Sequence, residues 1–395
     1  MEKITRVYAD YAATTPLSAD VYREMIDCLN KNYGNSASLY KEGREADAAL
    51  EEARAKIANA IGASPSEIYF TSGGSEANNW AIKGIARANR SKGNHIITSA
   101  IEHHSVIESC KALEKEGFEV TYIPVDSKGV IDYTELVKAI RPETVLISIM
   151  SANNEVGTIE PIRAISELAK MNDIAFHTDA VQAIGAIPFD VHEMNITAMS
   201  LTAHKIYGPK GIGALYLKKG TKIDRMIDGG SQEKGLRAGT SNVCGAVGFG
   251  VAITNAVRDL EENNKKLKHI RKYFLKEVSD SIHNVSLNGH PTQRLLGNVN
   301  LSFEGVEGEA VLMMLDNLGV SVSTGSACAS GSLEPSHVLV AMGLEPEIAQ
   351  SSIRFSFGKD TTNEEIDFVV NALHKAVKKV RSVSAVRIYK NKVEL

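Results

Sequence analysis

The chain has 395 residues, enough for two domains and a sizeable core. Its 44 basic and 48 acidic residues leave a formal charge of −4, which gives no global basic field for nucleic acid or an anionic membrane and points to a small-molecule partner. No apolar run approaches the roughly 20 residues of a membrane span, and "MEKITRVYADYAATTP" lacks the apolar core of a signal peptide, so a soluble cytoplasmic protein is expected.

The first predicted element is a one-sided helix in "ALEEARAKIANAIG", with apolar residues at Leu50, Ala53, Ile57 and Ile61. Seven β-rich runs then alternate, for most of their length, with helical stretches: "EIYFTS" (67–72), "NHIITSA" (94–100), "EVTYIPV" (119–125), "TVLISIMSA" (144–152), "IAFHTDA" (174–180), "AMSLTA" (198–203) and "GALYLK" (213–218). This rhythm predicts an α/β protein with a mostly parallel sheet. After about residue 250 the pattern changes to one long polar helix, "AITNAVRDLEENNKKLKHIRKYFLKEV", followed by the short runs "NVSLNG", "NVNLSF", "VSVSTG" and "IRFSFG". That shift predicts a smaller α+β domain, with a loose tail after about Val380. Cys28, Cys110, Cys244 and Cys328 are widely scattered and form no C-x-x-C pair, which argues against a zinc knuckle or a disulfide framework.

Ligands of open parallel sheets gather at the carboxyl ends of the strands. The residues that follow each predicted strand are chemically biased: Thr71 to Ser75, then Glu102, His103 and His104, then Asn153 to Glu155, then Asp179 and Gln182, then Thr202, His204 and Lys205. "TSGGSEANN" enters a helix through glycines and a serine. Free N–H groups near Gly74 and Ser75, with the helix dipole behind them, suit a phosphate; the same residues also suit an ordinary N-cap. The run matches neither G-x-x-x-x-G-K-[ST] nor G-x-G-x-x-G, so nucleoside triphosphate and dinucleotide readings lose support.

Asp179 ends a strand, where a carboxylate needs a cation. A structural ion pair or a cap meets that need, and so does a protonated heterocyclic nitrogen. A charge pair about 4 Å apart is worth roughly 4 kcal/mol at an effective dielectric of 20, enough to keep a pyridine nitrogen cationic at neutral pH. His177 and Asp179 share a strand face, but sequence places no third ligand beside them, which disfavours a metal site. Lys205 precedes a Gly-Pro turn; on a surface it is unremarkable, whereas in a pocket it becomes an amine nucleophile for a carbonyl cofactor. A phosphate-type loop, a strand-end aspartate and a later lysine, in that order, are the parts that hold pyridoxal phosphate.

The runs "YGNSAS", "FTSGGSEANN", "EHHSV", "NNEVG", "HTDAVQAIG", "TAHKIYGPKG", "RAGTSN" and "STGSACASGSLEPSHVL" together resemble the NifS/IscS-like cysteine desulfurase family of the pyridoxal-phosphate class V aminotransferases, over almost the whole chain. The resemblance implies the type I fold of these enzymes, with a mixed seven-stranded sheet in a large domain (15–255) and a small α+β domain (1–14 and 256–395), working as a homodimer. It implies that Lys205 anchors the cofactor and moves the substrate Cα proton. Asp179 would pair with the ring nitrogen, Gln182 would donate to the phenolic oxygen, and His103 would stack on the ring as acid or base. Gly74, Ser75, Thr202 and His204 would hold the phosphate, with Thr240 reaching in from the second subunit. Asn154 and Arg354 would grip the substrate carboxylate. Ser75 and Thr202 stand where the family usually has threonine and serine, and both keep a hydroxyl.

Within that resemblance Cys328 decides the reaction. It sits among small residues that do not pack a core, while Cys28, Cys110 and Cys244 read as small buried hydrophobes. A segment from about Ser323 to Leu333 carries its middle through roughly 15 Å if extended at about 3.3 Å per residue in each arm. The implied activity takes sulfur from L-cysteine, leaving L-alanine and a persulfide on Cys328 for a sulfur-acceptor protein such as an iron–sulfur scaffold. A selenocysteine lyase and a class V aminotransferase are the alternatives within the superfamily.

Overall fold

The computed structural model describes residues 4–324 and 334–383. A two-residue strand, β1 (Val7–Tyr8), comes first. It is followed by β2 (Ile68–Thr71), β3 (His95–Ser99), β4 (Glu119–Ile123), β5 (Thr144–Ser148), β6 (Ala175–Asp179), β7 (Ala198–Thr202) and β8 (Gly213–Leu217). Strands β2 to β8 form one seven-stranded sheet in the order β2-β8-β7-β6-β5-β3-β4. β8 runs antiparallel to both of its neighbours, and every other pair is parallel. The sheet is therefore mixed, and its seven strands fall on the seven runs read from sequence. β3, β5, β7 and β8 are buried along their whole length, as strands covered on both faces must be.

The short antiparallel return from β7 to β8 fixes Lys205 at the carboxyl edge of the sheet. The chain reverses through Tyr207 at φ 65°, a left-handed conformation that a bulky residue adopts only when its surroundings hold it there. Thr15 Oγ1 accepts from the Tyr207 N–H at 2.7 Å, and the N-terminal segment thereby braces the turn. The helix Lys41–Ala60 buries Leu50, Ala53 and Ile57, and Ile61 just beyond it is also buried, as the apolar spacing predicts. It packs on the helix Val243–Arg258. There a Cβ at Gly250 would lie 3.1 Å from Ala53 Cα, so the small residue permits the close crossing.

The later strands are β9 (Val285–Asn288), β10 (Asn298–Phe303), β11 (Val320–Ser321), β12 (Ser323–Thr324) and β13 (Ser352–Ser356). An antiparallel sheet runs β12-β13-β10-β9, and β11 pairs in parallel with β1. The run "VSVSTG" thus serves two sheets rather than one strand. Val7 and Ala9 join Ile270, Phe274, Leu301, Phe355 and Val369 in one apolar cluster, so the start of the chain packs with its last third.

The long polar helix expected over 252–278 is instead two helices, Val243–Arg258 and Leu260–Ser281, bent by 69° at Asp259. The first packs against Lys41–Ala60, while the second buries Ile270, Phe274 and Val278 in the other cluster. One straight rod does not serve both surfaces. The break falls on Asp259, a residue type that competes with the helical backbone for hydrogen bonds.

Candidate active site

The carboxyl ends of β6 and β7 bring Asp179 and Lys205 to one region, and the helix His104–Glu114 begins there with His103 as its N-cap. Asp179 is 6 % exposed. Its Oδ1 accepts from the Val181 N–H at 2.9 Å, and its Oδ2 accepts from Asn78 Nδ2 at 2.6 Å. Asn78 also donates to Ser105 Oγ at 2.9 Å, and that hydroxyl lies 2.8 Å from His103 Nδ1. A continuous polar chain therefore links Asp179 to His103. Burial holds His103 below the usual histidine range; Asp179 opposes that shift, while Lys205 and His104 reinforce it.

Lys205 Nζ donates to Ala12 O at 2.5 Å and to Ala13 O at 2.7 Å. Gln182 Nε2 donates to the same Ala12 carbonyl at 3.0 Å, so the two predicted cofactor residues share an acceptor. A cavity of about 220 Å³ is bordered by Tyr11, Ala12, Gln182, Lys205 and Tyr207. Asp179, His103 and Thr202 do not line it. His204 Nδ1 lies 3.1 Å from Thr14 Oγ1, and burial, helped by Lys205 and Lys210, lowers its pKa to about 4.

Gly74 opens the helix Gly74–Asn79, with Ser75 exposed beside it. A Cβ on Gly74 would meet Val181 Cγ2 at 2.6 Å, so this loop packs directly on the turn that follows Asp179. A Cβ on Gly73 would meet only Thr202 Oγ1, at 4.0 Å. The space beside Thr202 at the helix entry is therefore open.

Arg354 is 2 % exposed on β13. Its Nη1 donates to the Asn154 carbonyl at 3.1 Å and its Nη2 to Asp10 Oδ1 at 2.9 Å, which brings Asn154 and Arg354 together. Its Nε is buried with no hydrogen-bond partner among the described residues. Thr240 is not brought to Lys205 in this subunit. It is exposed and lines a separate recess with Thr71, Ser72 and Arg237. Cys328 lies outside the described residues.

His177 engages Ser148 Oγ at 2.8 Å and Ser200 Oγ at 2.9 Å through its two ring nitrogens, and burial takes its pKa down to about 3. That is a core histidine kept neutral by burial, with both ring nitrogens satisfied by hydroxyls. Cys28 and Cys110 are buried, as expected for small hydrophobes, whereas Cys244 is only partly buried.

Sequence alone assigns no role to Asn78, Ser105 or Asp10, and it gives Glu155 only as a strand-end residue. Asn78 lies four residues past Gly74, on the helix face turned to β6, and a helical wheel on that entry was the one signal available. Glu155 is fully enclosed and accepts from Ser336 Oγ. Burial raises its pKa to about 7, against the pull of Ser336 and Arg354.

The class-V aminotransferase family profile matches residues 7–369. The chain is 54 % identical over 378 residues to a cysteine desulfurase IscS of Dictyoglomus turgidum, covering 96 % of both proteins. A solved NifS-like protein superposes with a TM-score of 0.90 at 39 % identity, over 95 % of this chain and 100 % of that one. A structure described as SspA in complex with cysteine superposes at 0.80, also with 39 % identity, over 90 % of this chain and 99 % of that one. The chain belongs to the class-V aminotransferase family and, within it, to the NifS/IscS-like cysteine desulfurases.

Proposed function

We propose that the protein is a pyridoxal-phosphate-dependent cysteine desulfurase, converting L-cysteine to L-alanine and leaving the sulfur as a persulfide on Cys328. The observation that carries the reading is the meeting of a fixed carboxylate, a half-buried histidine and a lysine, Asp179, His103 and Lys205, at the strand ends. The open space beside Gly73 and Thr202 leaves room for a phosphate there. When bound, pyridoxal phosphate supplies an electron sink for the pair left on Cα as its proton departs.

The protein's own residues do the rest. Lys205 anchors the cofactor aldehyde and carries the Cα proton. Asp179, fixed by Asn78 and the Val181 amide, keeps the ring nitrogen protonated. Gln182 would donate to the cofactor's phenolic oxygen, and His103 would stack on its ring and serve as acid or base. Gly74, Ser75, Thr202 and His204 hold the phosphate together with Thr240 of the partner subunit. Asn154 and Arg354 grip the substrate carboxylate. The Cys328 thiolate attacks the substrate sulfur; the S–S bond forms as the C–S bond breaks, and the carbon skeleton takes that electron pair and a proton to leave as L-alanine. The persulfide passes to an acceptor protein such as an iron–sulfur scaffold.

In this reading residues 15–255 form the cofactor-bearing domain, and 1–14 with 256–395 form the smaller domain that carries Cys328. The enzyme acts as a cytoplasmic homodimer. Among the described residues, no single helix is long and apolar enough to cross a membrane.

The test measures L-alanine and protein-bound persulfide together from L-cysteine. The wild type is expected to give both, and Cys328→Ala to keep the cofactor chromophore yet form neither persulfide nor sulfide. Full sulfide turnover by Cys328→Ala would overturn the assignment. Transfer of the amino group to a keto acid without sulfur release would mark an aminotransferase, and activity confined to L-selenocysteine a selenocysteine lyase.

A further inference from the structure

Two ion pairs hold the chain between β8 and the helix Val243–Arg258. It passes through three consecutive left-handed conformations at Glu233, Lys234 and Gly235, with φ of 45°, 58° and 75°. Two of the three are not glycine, a path that persists only where the surroundings fix it. Glu233 supplies one anchor, accepting from both terminal nitrogens of Arg54 and from the Phe70 N–H. Arg237 supplies the other. Its Nε donates to Glu76 Oε1 at 2.8 Å and its Nη2 to Glu76 Oε2 at 3.2 Å, with both side chains at most 20 % exposed.

Glu76 serves a second donor. Its Oε2 also accepts from the Ser72 N–H at 2.9 Å, in the turn that leads from β2 to Gly74 and Ser75. Thr240 lies three residues beyond Arg237, exposed, and shares a recess of about 160 Å³ with Ser72 and Arg237. One carboxylate therefore joins the turn before Gly74 to the loop that presents Thr240. It is also a like charge for a phosphate at that turn, and the two-pronged Arg237 contact balances it.

We infer that Glu76 and Arg237 are positioning residues that join the two phosphate contacts each subunit makes: the one in its own site, through Gly74 and Ser75, and the one in its partner's site, through Thr240. The inference rests on the proposed homodimer and on the proposed roles of Gly74, Ser75 and Thr240. Breaking the pair loosens the cofactor on both sides of the dimer, while the Glu233 anchor keeps the loop folded.

The experiment uses mixed dimers in which one subunit carries Lys205→Ala. A single Lys205 then reports affinity through the absorbance of lysine-bound cofactor as pyridoxal phosphate is titrated. Arg237→Gln is placed in the Lys205→Ala subunit, where it frees the Thr240 loop that serves the remaining Lys205, or in the other subunit, where it frees the Ser72 turn beside that lysine. Each placement is expected to weaken cofactor affinity about tenfold, the loss of one hydrogen bond to a charged group. The first placement leaves the Lys205-bearing subunit wild type, so a loss there reads the contact across the dimer and not damage to that subunit's fold. Arg237→Lys keeps the charge without the fork and should recover part of the loss; it carries the test in both placements if Arg237→Gln does not fold. Thr240→Ala in the Lys205→Ala subunit should weaken the site too, and adding Arg237→Gln to that same subunit should cost less than about twofold more, since both act through one contact.

Wild-type affinity with either placement of the Arg237 variant, or losses by Arg237→Gln and Thr240→Ala that multiply in one subunit, would overturn the inference. Thr240→Ala without effect on the other subunit's Lys205 site would sink the proposed role of Thr240 and this inference with it. A loss with Thr240→Ala, beside none with the Arg237 variants, would sink the inference alone.

Discussion

Asn78 donates to Asp179 Oδ2 at 2.6 Å across 101 positions of sequence, and it also reaches the His103 side of the site through Ser105. A carboxylate that must stay ionised beside a ring nitrogen is held in place by donors, and Asn78 supplies one that the backbone does not. Its own Oδ1 is buried without a hydrogen-bond partner among the described residues.

Asn78→Ala is therefore expected to weaken cofactor binding rather than the fold. A hydrogen bond to a buried charge is worth about 1.5–3 kcal/mol, so pyridoxal phosphate should dissociate roughly tenfold to a hundredfold more readily. Equilibrium dialysis of the variant against the free cofactor checks this. Wild-type retention would show that the Val181 amide alone fixes Asp179.

Lys205, Asp179 and Thr202 are legible in the sequence because the end of a parallel strand is a fixed place, and β-branched runs bounded by polar residues mark it. The seven strands follow for the same reason. Arg354 and Asp10 are different: they lie 344 positions apart and meet only because β13 passes beside the chain after β1. No local pattern encodes that contact. The break at Asp259 was equally hidden, since periodicity reports a helical face and not the direction of the surface it must cover.

Glu102 gives the fold a pH dependence between about 4.5 and 8. It is fully buried; Ser99 and the Met150 amide bond to its Oε1, and burial raises its pKa from 4.5 to about 8, with Asp179 adding to the rise. The folded protein thus keeps a proton that the unfolded chain gives up. The contribution is fully present below the unfolded value and is lost as pH rises through about 8. Over that window one such group steepens the decline by up to about 1.4 kcal/mol per pH unit. Glu102→Gln should show a shallower fall in urea midpoint between about pH 4.5 and 8. Parallel profiles for the two proteins would refute the assignment.

Arg54 and Glu233 form a two-pronged pair at 2.8 and 2.9 Å, with both side chains under a tenth exposed. Glu233 also accepts from the Phe70 N–H at 2.9 Å, and the Arg54 guanidinium lies 4.7 Å from the centre of the Phe70 ring. The pair pins the loop before Arg237 to the edge strand β2. Removing one partner of a buried pair leaves an uncompensated charge, so Glu233→Ala should destabilise the protein by about 3–5 kcal/mol. Chemical denaturation measures this directly. A loss below about 1 kcal/mol would mean that water replaces the carboxylate and that the pair behaves as a surface one.

Under the proposed function, Lys205 would change partners when the cofactor is bound. As an ammonium it has three donors, two of them engaged by the Ala12 and Ala13 carbonyls. Once its nitrogen is double-bonded to an aldehyde carbon it retains at most one proton, so the two carbonyls cannot both keep their bond from Nζ. Cofactor loading is therefore coupled to the segment Ala12–Thr15, which also braces the β7–β8 turn. Borohydride reduction of the loaded protein should fix the label on the peptide containing Lys205, and hydrogen exchange at the Ala13 and Thr15 amides should rise on loading. Lys205→Ala should bind the cofactor without retaining label, and its exchange at those amides should not respond to added cofactor. A label recovered on another lysine would remove Lys205 from the chemistry, while unchanged exchange in the loaded wild type would leave the lysine in place and discard the coupling.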